Sequence, residues 1–151
     1  MTETIPTRIW IEHNAIHYSP TPTGSWTLPV ADLVVFGEYT NQNGPFLDDY
    51  YFVFVVDSQH AYGASFYSEG REMFLTDLST RLGVQLECGL LGSTDFASNV
   101  LWPPDLAGQP LYEFAEKSTP TIGAKLLQWF GFRGIDVAYS RQVLAKLARR
   151  T

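Results

Sequence analysis

A single cysteine, Cys88, stands in a chain of 151 residues. One thiol makes no intramolecular disulfide, which excludes the stapled secreted scaffolds and points to a reducing, cytoplasmic setting. Long apolar runs are missing too. The longest, such as Phe52-Val53-Phe54-Val55-Val56, fall far short of the roughly 18 residues that a membrane-spanning helix needs. The opening stretch, Met1 to Arg8, is neither basic nor followed by an apolar run, so no signal peptide is read there. Cations are scarce over most of the chain. Residues 1–116 hold three basic side chains (Arg8, Arg71, Arg81) against fifteen acidic ones, a balance of −12, whereas residues 117–151 hold seven against Asp136 alone, a balance of +6. An acidic body repels phosphates, so no nucleic-acid partner is expected.

Chemical motifs are equally sparse. No glycine pattern opens a helix directly after a strand with phosphate-binding spacing, and no Gly-x-Ser-x-Gly elbow occurs. His13 and His17 are four apart, a zinc spacing on a helix, but their surroundings are strand-like and no metal site is expected. His60 beside Asp57 reads as a turn contact rather than a general base. Cys88 follows Glu87, whose charge works against a thiolate, so it reads as a structural thiol. Asp48 and Asp49 lack the glycine and spaced carboxylates of a calcium loop and read as strand-edge charges. Neither a catalytic constellation nor a cofactor is expected.

What the chain has is apolar mass: 45% hydrophobic and 15% aromatic against 17% charged. At this length one core buries roughly 68–70% of the unfolded surface, enough for a single domain over 1–151 that folds unaided. The alternation of Ile9 and Ile11, then Ile16 and Tyr18, around Glu12-His13-Asn14 predicts a hairpin over 8–19. Ser19 to Gly24 reads as a loop. Trp26 to Thr40 reads as one long or broken strand, with a bend at Pro29 and a bulge at Gly37. Asn41 to Pro45 is a strong turn signal. Tyr50 to Val56 is apolar on both alternating faces and predicts a central strand covered on both sides, and Ala61 to Tyr67 predicts another.

Phe74, Leu75, Leu78 and Leu82 then fall at helical spacing, predicting a helix over about 69–82 with Ser68 as its cap and Gly83 as its stop. Residues 84–90 are open to a returning strand, and the breaker-rich 91–116 reads as mostly loop with a short helical turn near 95–100. Two helices are expected at the end, over about 121–130 and 137–149, the second capped by Asp136. The expected fold is α+β: an antiparallel, curved β-sheet of pleckstrin-homology-like or partial-barrel form, a mid-chain helix and two C-terminal helices. Residues 8–83 supply the sheet and helix, 84–116 a loop-rich segment and 117–151 the basic tail.

The order of the hairpin, the step Trp26-Thr27-Leu28-Pro29-Val30-Ala31-Asp32-Leu33, the strands Tyr50 to Val56 and Ala61 to Tyr67, and the helix to about 82 resembles bacterial pleckstrin-homology-like domains. The resemblance covers residues 8–83 and implies a scaffold for protein or ligand contacts. The helix arrives after about five strands rather than seven. The first hairpin turn carries no Lys or Arg, so phosphoinositide binding there is not implied.

Function is therefore expected to reside in surfaces. The leading expectation is a non-catalytic binding or protein-interaction domain whose partner is another protein. Alternatives are a small acidic immunity- or antitoxin-like neutraliser of a basic partner, and a peripheral membrane protein using its basic tail helix. The candidate contact residues are Trp102, Tyr112 and Phe114 in the breaker-rich segment, and Arg141, Lys146, Arg149 and Arg150 on the tail helix. Docking of that helix on its own acidic body is the competing expectation.

Overall fold

The computed structural model describes residues 6–21, 24–40, 50–57, 59–90, 97–114 and 137–150. Ile9 and Ile16 are wholly buried and their alternate neighbours more open, and this period of two builds β1 (Arg8–Glu12) and β2 (Ala15–Thr21). His13 and Asn14, at φ 54° and 58°, make the tight turn between them, the left-handed pair that matches strand twist. β3 (Gly24–Pro29) completes a three-stranded antiparallel sheet in the order β1-β2-β3. The expected loop from Ser19 is thus partly ladder: Thr21 pairs with Gly24 after a register shift beyond Tyr18.

The expected break falls after Pro29, where a single 3-10 turn, Val30–Asp32, leads into β4 (Val35–Thr40). β4 joins β5 (Tyr50–Val55), β6 (Ala61–Ser65) and β7 (Ala97–Trp102) in a four-stranded antiparallel sheet, ordered β6-β5-β4-β7. The bulge expected at Gly37 appears as a register shift between Phe36 and Gly37 against β7. Among the described residues the sheets are not closed into a barrel.

This four-stranded sheet is the middle layer. Phe36, Tyr50, Phe52 and Phe54 face one side, where Tyr18 and Leu28 of the first sheet and Phe74 of α1 (Arg71–Leu82) pack on them. Val35, Tyr39, Val53 and Val55 face the other, packed by Tyr112 of β8 (Tyr112–Phe114), Tyr139 of β9 (Val137–Tyr139), and Val143 and Leu147 of α2 (Arg141–Arg150). Burial on both faces explains the unbroken apolar run of β5; each fully buried Phe stabilises by roughly 1.5–3 kcal/mol. Both sheet edges are blunted. The Trp26 indole donates to Gly63 O (3.1 Å) and Ser65 N donates to Tyr18 Oη (3.0 Å) at the β6 edge. At the β7 edge Val100 N donates to Gln109 O (2.8 Å).

Four expectations need correction. Residues 97–100 of the helical turn expected near 95–100 are strand instead; β7 runs through 97–102, because pairing with a strand some sixty residues away outweighs the weak local signal. Residues 84–90 make no strand. Ser68 does not cap α1: its hydroxyl donates to Ser65 O (2.7 Å), and the N-cap is Gly70 in the left-handed conformation. The tail helix begins at Arg141 rather than 137, since Val137–Tyr139 pairs as β9 with β8. Ser140 caps it, accepting Val143 N on Oγ (3.4 Å) and Leu144 N on its carbonyl (2.9 Å). The expected turn at 41–45, the helix over 121–130, Asp48, Asp49 and Asp136 lie outside the described residues. Among the described residues no helix is long and apolar enough to cross a membrane.

Candidate functional site

Strand β6 ends at Ser65, and the next five residues turn the chain into α1. The turn is held from below. Glu69 N donates to Thr7 O (2.9 Å) and Ile9 N to Glu69 O (3.0 Å), which ties it to the β1 edge. Gly70 is required there, because at φ 82° a Cβ would lie 2.7 Å from Ile9 O. Arg71 lays its guanidinium over Phe66 at 4.0 Å and donates to Phe66 O (2.9 Å), and Phe66 in turn stacks on Tyr50 at 3.9 Å. The result is a surface groove open to solvent, lined by Tyr67, Gly70, Arg71, Glu72 and Met73 among others.

Two large apolar side chains stand out of this groove, Tyr67 at 54% exposure and Met73 at 79%. Glu69 and Glu72 are exposed beside them, and neither has an ion-pair partner among the described residues. The sequence carried a signal for Met73. The α1 stripe is Phe74, Leu75, Leu78 and Leu82, and an apolar residue at 73 lies off it, on the face that should be polar.

A second polar centre lies inside. Glu38 of β4 is wholly buried, and its carboxylate accepts Tyr50 Oη, Gly89 N (2.8 Å) and Asn99 Nδ2 (2.8 Å). The Gly89 bond ties the strap 84–90 to β4, and Val84 N and Leu86 N tie its start to Ser79 of α1. Cys88 sits half-buried beside them, and burial, then the charge of Glu38, push its thiol up to about 11. Burial and the bond to Glu38 push the Tyr50 phenol well above its ordinary value. Both groups hold their protons at neutral pH, so the arrangement suits cross-linking of backbone segments better than nucleophilic attack.

The histidines are turn and sheet residues. His60 Nδ1 bonds Asp57 Oδ1 (2.9 Å); the Gln59 N–H, then His60, hold the Asp57 carboxyl below its usual range. His17 is bonded on both ring nitrogens, to Thr27 Oγ1 (3.1 Å) and Glu12 O (3.2 Å), and stacks on Trp10. Among the described residues no three His, Cys, Asp or Glu side chains converge as metal ligands would.

The expected contact residues are not gathered together. Trp102 packs half-buried against the core under α1, whereas Tyr112 is buried on the opposite face of the sheet, T-stacked on Tyr39 at 6.1 Å. Phe114 lies in β8, and its side chain is outside the described residues, as are those of Arg149 and Arg150 in the last turn of α2. Arg141 is exposed at the start of that helix, and Lys146 pairs with Asp105 at 3.3 Å. The tail helix is docked on its own domain through Val143 and Leu147. No family model, no curated protein and no solved structure matches the chain.

Proposed function

We propose that the chain is a non-catalytic protein-interaction domain whose contact surface is the groove at the start of α1. The observation that carries the reading is the pairing of Tyr67 and Met73, exposed beside Glu69 and Glu72 where the turn tied to the β1 edge enters α1. Single exposed apolar residues are ordinary; two that line one groove, one on the polar face of a helix, mark a contact patch. Met adapts to varied apolar partners, and the carboxylates select a cationic neighbour. The partner is thus a basic protein surface carrying an apolar anchor.

The six antiparallel strands that precede α1 support the pleckstrin-homology-like reading of residues 8–83 as a contact scaffold, while their division into two sheets departs from a closed barrel. The single half-buried thiol supports a cytoplasmic setting. The neutraliser reading gains from Asp32 and Glu87, exposed carboxylates that like Glu69 and Glu72 have no ion-pair partner among the described residues. The membrane reading loses two apolar residues of the tail helix, Val143 and Leu147, to the protein's own core.

The test is a backbone-amide NMR titration of the full chain with three synthetic peptides, alternating Lys–Phe, Glu–Phe and Lys–Ser. Shifts at residues 67–76 with Lys–Phe alone are expected. Equal response to all three, or none in that segment, rejects the reading.

A further inference from the structure

The groove has a complement elsewhere on the same chain. Among the described residues three large apolar side chains are exposed: Tyr67, Met73 and Leu144, the last at 45%. Leu144 lies on α2, whose inner face is committed to the core through Val143 and Leu147. Arg141, three residues before Leu144 and exposed, shares its side of the helix. The outer side of α2 therefore offers one apolar anchor with one cation beside it. The groove offers two apolar contacts with Glu69 and Glu72 beside them.

Within one molecule the two patches lie apart. α1 packs through Phe74 and Leu78 on one face of the four-stranded sheet, and α2 packs through Val143 and Leu147 on the other. We propose that the groove receives α2 of a second copy of the chain, so that molecules associate head to tail. The proposal rests on the reading of the groove as a protein-contact surface.

Geometry favours this arrangement over a reciprocal two-fold dimer, because the two patches lie on opposite faces of the four-stranded sheet. Charge favours the pairing itself, since it sets the exposed Arg141 of one copy beside Glu69 and Glu72 of the next. Such a heterologous contact uses two different patches and leaves one of each free at the ends, which allows a chain to grow. The anchor is one leucine and one arginine, so the association is weak and concentration-dependent, and loss of either patch should weaken it by about tenfold or more.

Sedimentation of the full-length protein tests this. The wild type is expected to sediment faster as concentration rises toward millimolar. Met73→Glu and Leu144→Glu, both at exposed positions and checked for native circular dichroism, should each remain monomeric. The discriminating sample is an equimolar mixture of the two variants. M73E keeps an intact helix patch and L144E an intact groove, so the mixture should form a one-to-one dimer and stop there. A charge exchange, Arg141→Glu in one copy with Glu69→Lys and Glu72→Lys in the other, should restore association that each alone loses. A wild type that stays monomeric, or a variant mixture that does, overturns the head-to-tail contact. Should the Lys–Phe peptide still shift residues 67–76 in that case, the groove remains a contact surface and only its occupant is wrong; should it not, the reading beneath falls as well.

Discussion

Replacing Glu38 removes the single acceptor on which three donors from three parts of the chain converge: Tyr50 of β5, Gly89 of the strap and Asn99 of β7. Glu38 and Tyr50 are buried, so the phenol loses its partner away from water, whereas Gly89 is exposed and Asn99 half-buried, and water can reach those two donors. Losing three hydrogen bonds, one of them from a phenol left buried and unpaired, costs about 3–5 kcal/mol in sum. Glu38→Ala should fall in that range. Glu38→Gln keeps one carbonyl acceptor, and the Tyr50 hydroxyl can turn to accept from the new amide, so its cost should be about 1–2 kcal/mol. Urea unfolding followed by fluorescence reads both. With a slope of about 1–3 kcal/mol per molar, the alanine variant should lower the midpoint by more than about 1 M. Hydrogen exchange should show the Gly89 amide losing protection in the alanine variant before the β5 amides do. A loss below about 1 kcal/mol for alanine, or equal losses for the two variants, would refute the view that this carboxylate anchors the strap.

Three further outcomes follow from the packing. Gly70→Ala should cost about 2 kcal/mol or more, since φ 82° and the 2.7 Å approach to Ile9 O act together, whereas Gly83→Ala, at φ 69° with open space around it, should cost about 1 kcal/mol; thermal melts giving equal values would contradict the tie between the α1 turn and β1. Leu147→Ala should destabilise by about 2–4 kcal/mol and Leu144→Ala by under about 0.5 kcal/mol, the split expected if α2 docks by one face; chemical denaturation showing the reverse order would place the other face inside. The Cys88 thiol is raised from an ordinary 9.0 to about 11, so the unfolded chain loses this proton first; its contribution to stability is intact below pH 9 and falls as pH rises toward 11. Alkylation of the native chain by iodoacetamide should climb across the same window, and a rate half-maximal at the ordinary 9.0 and level about one pH unit above it would show the thiol to be unshifted.

The legible parts of the fold were those whose pattern is local. β1 and β2 announce themselves by alternation around a two-residue turn, β5 by apolar residues on both faces, and α1 by its stripe and its Gly83 stop. β7 was not legible, because Ala97-Ser98-Asn99 is a poor strand by composition. It is a strand because β4 lies ready to pair, and Asn99 is polar because it serves Glu38. Ser140 escaped notice for a similar reason: Val137-Ala138-Tyr139 suits either a helix or a strand, and only β8 decides between them. The groove left a trace in Met73, off the helical stripe. Trp102 and Tyr112 drew attention by aromatic density, and both pack against the core, a role that composition alone does not distinguish from a binding surface.

The groove is judged most directly by calorimetric titration of the Lys–Phe peptide into the wild type, Met73→Ala and the double variant Glu69→Gln with Glu72→Gln, each at low and high salt. The wild type should bind, with affinity that weakens as salt screens the carboxylates. Met73→Ala should weaken binding at both salt concentrations, and the double variant should lose most of the salt dependence. Binding indifferent to all three changes would contradict the assignment of the α1 groove as the contact surface.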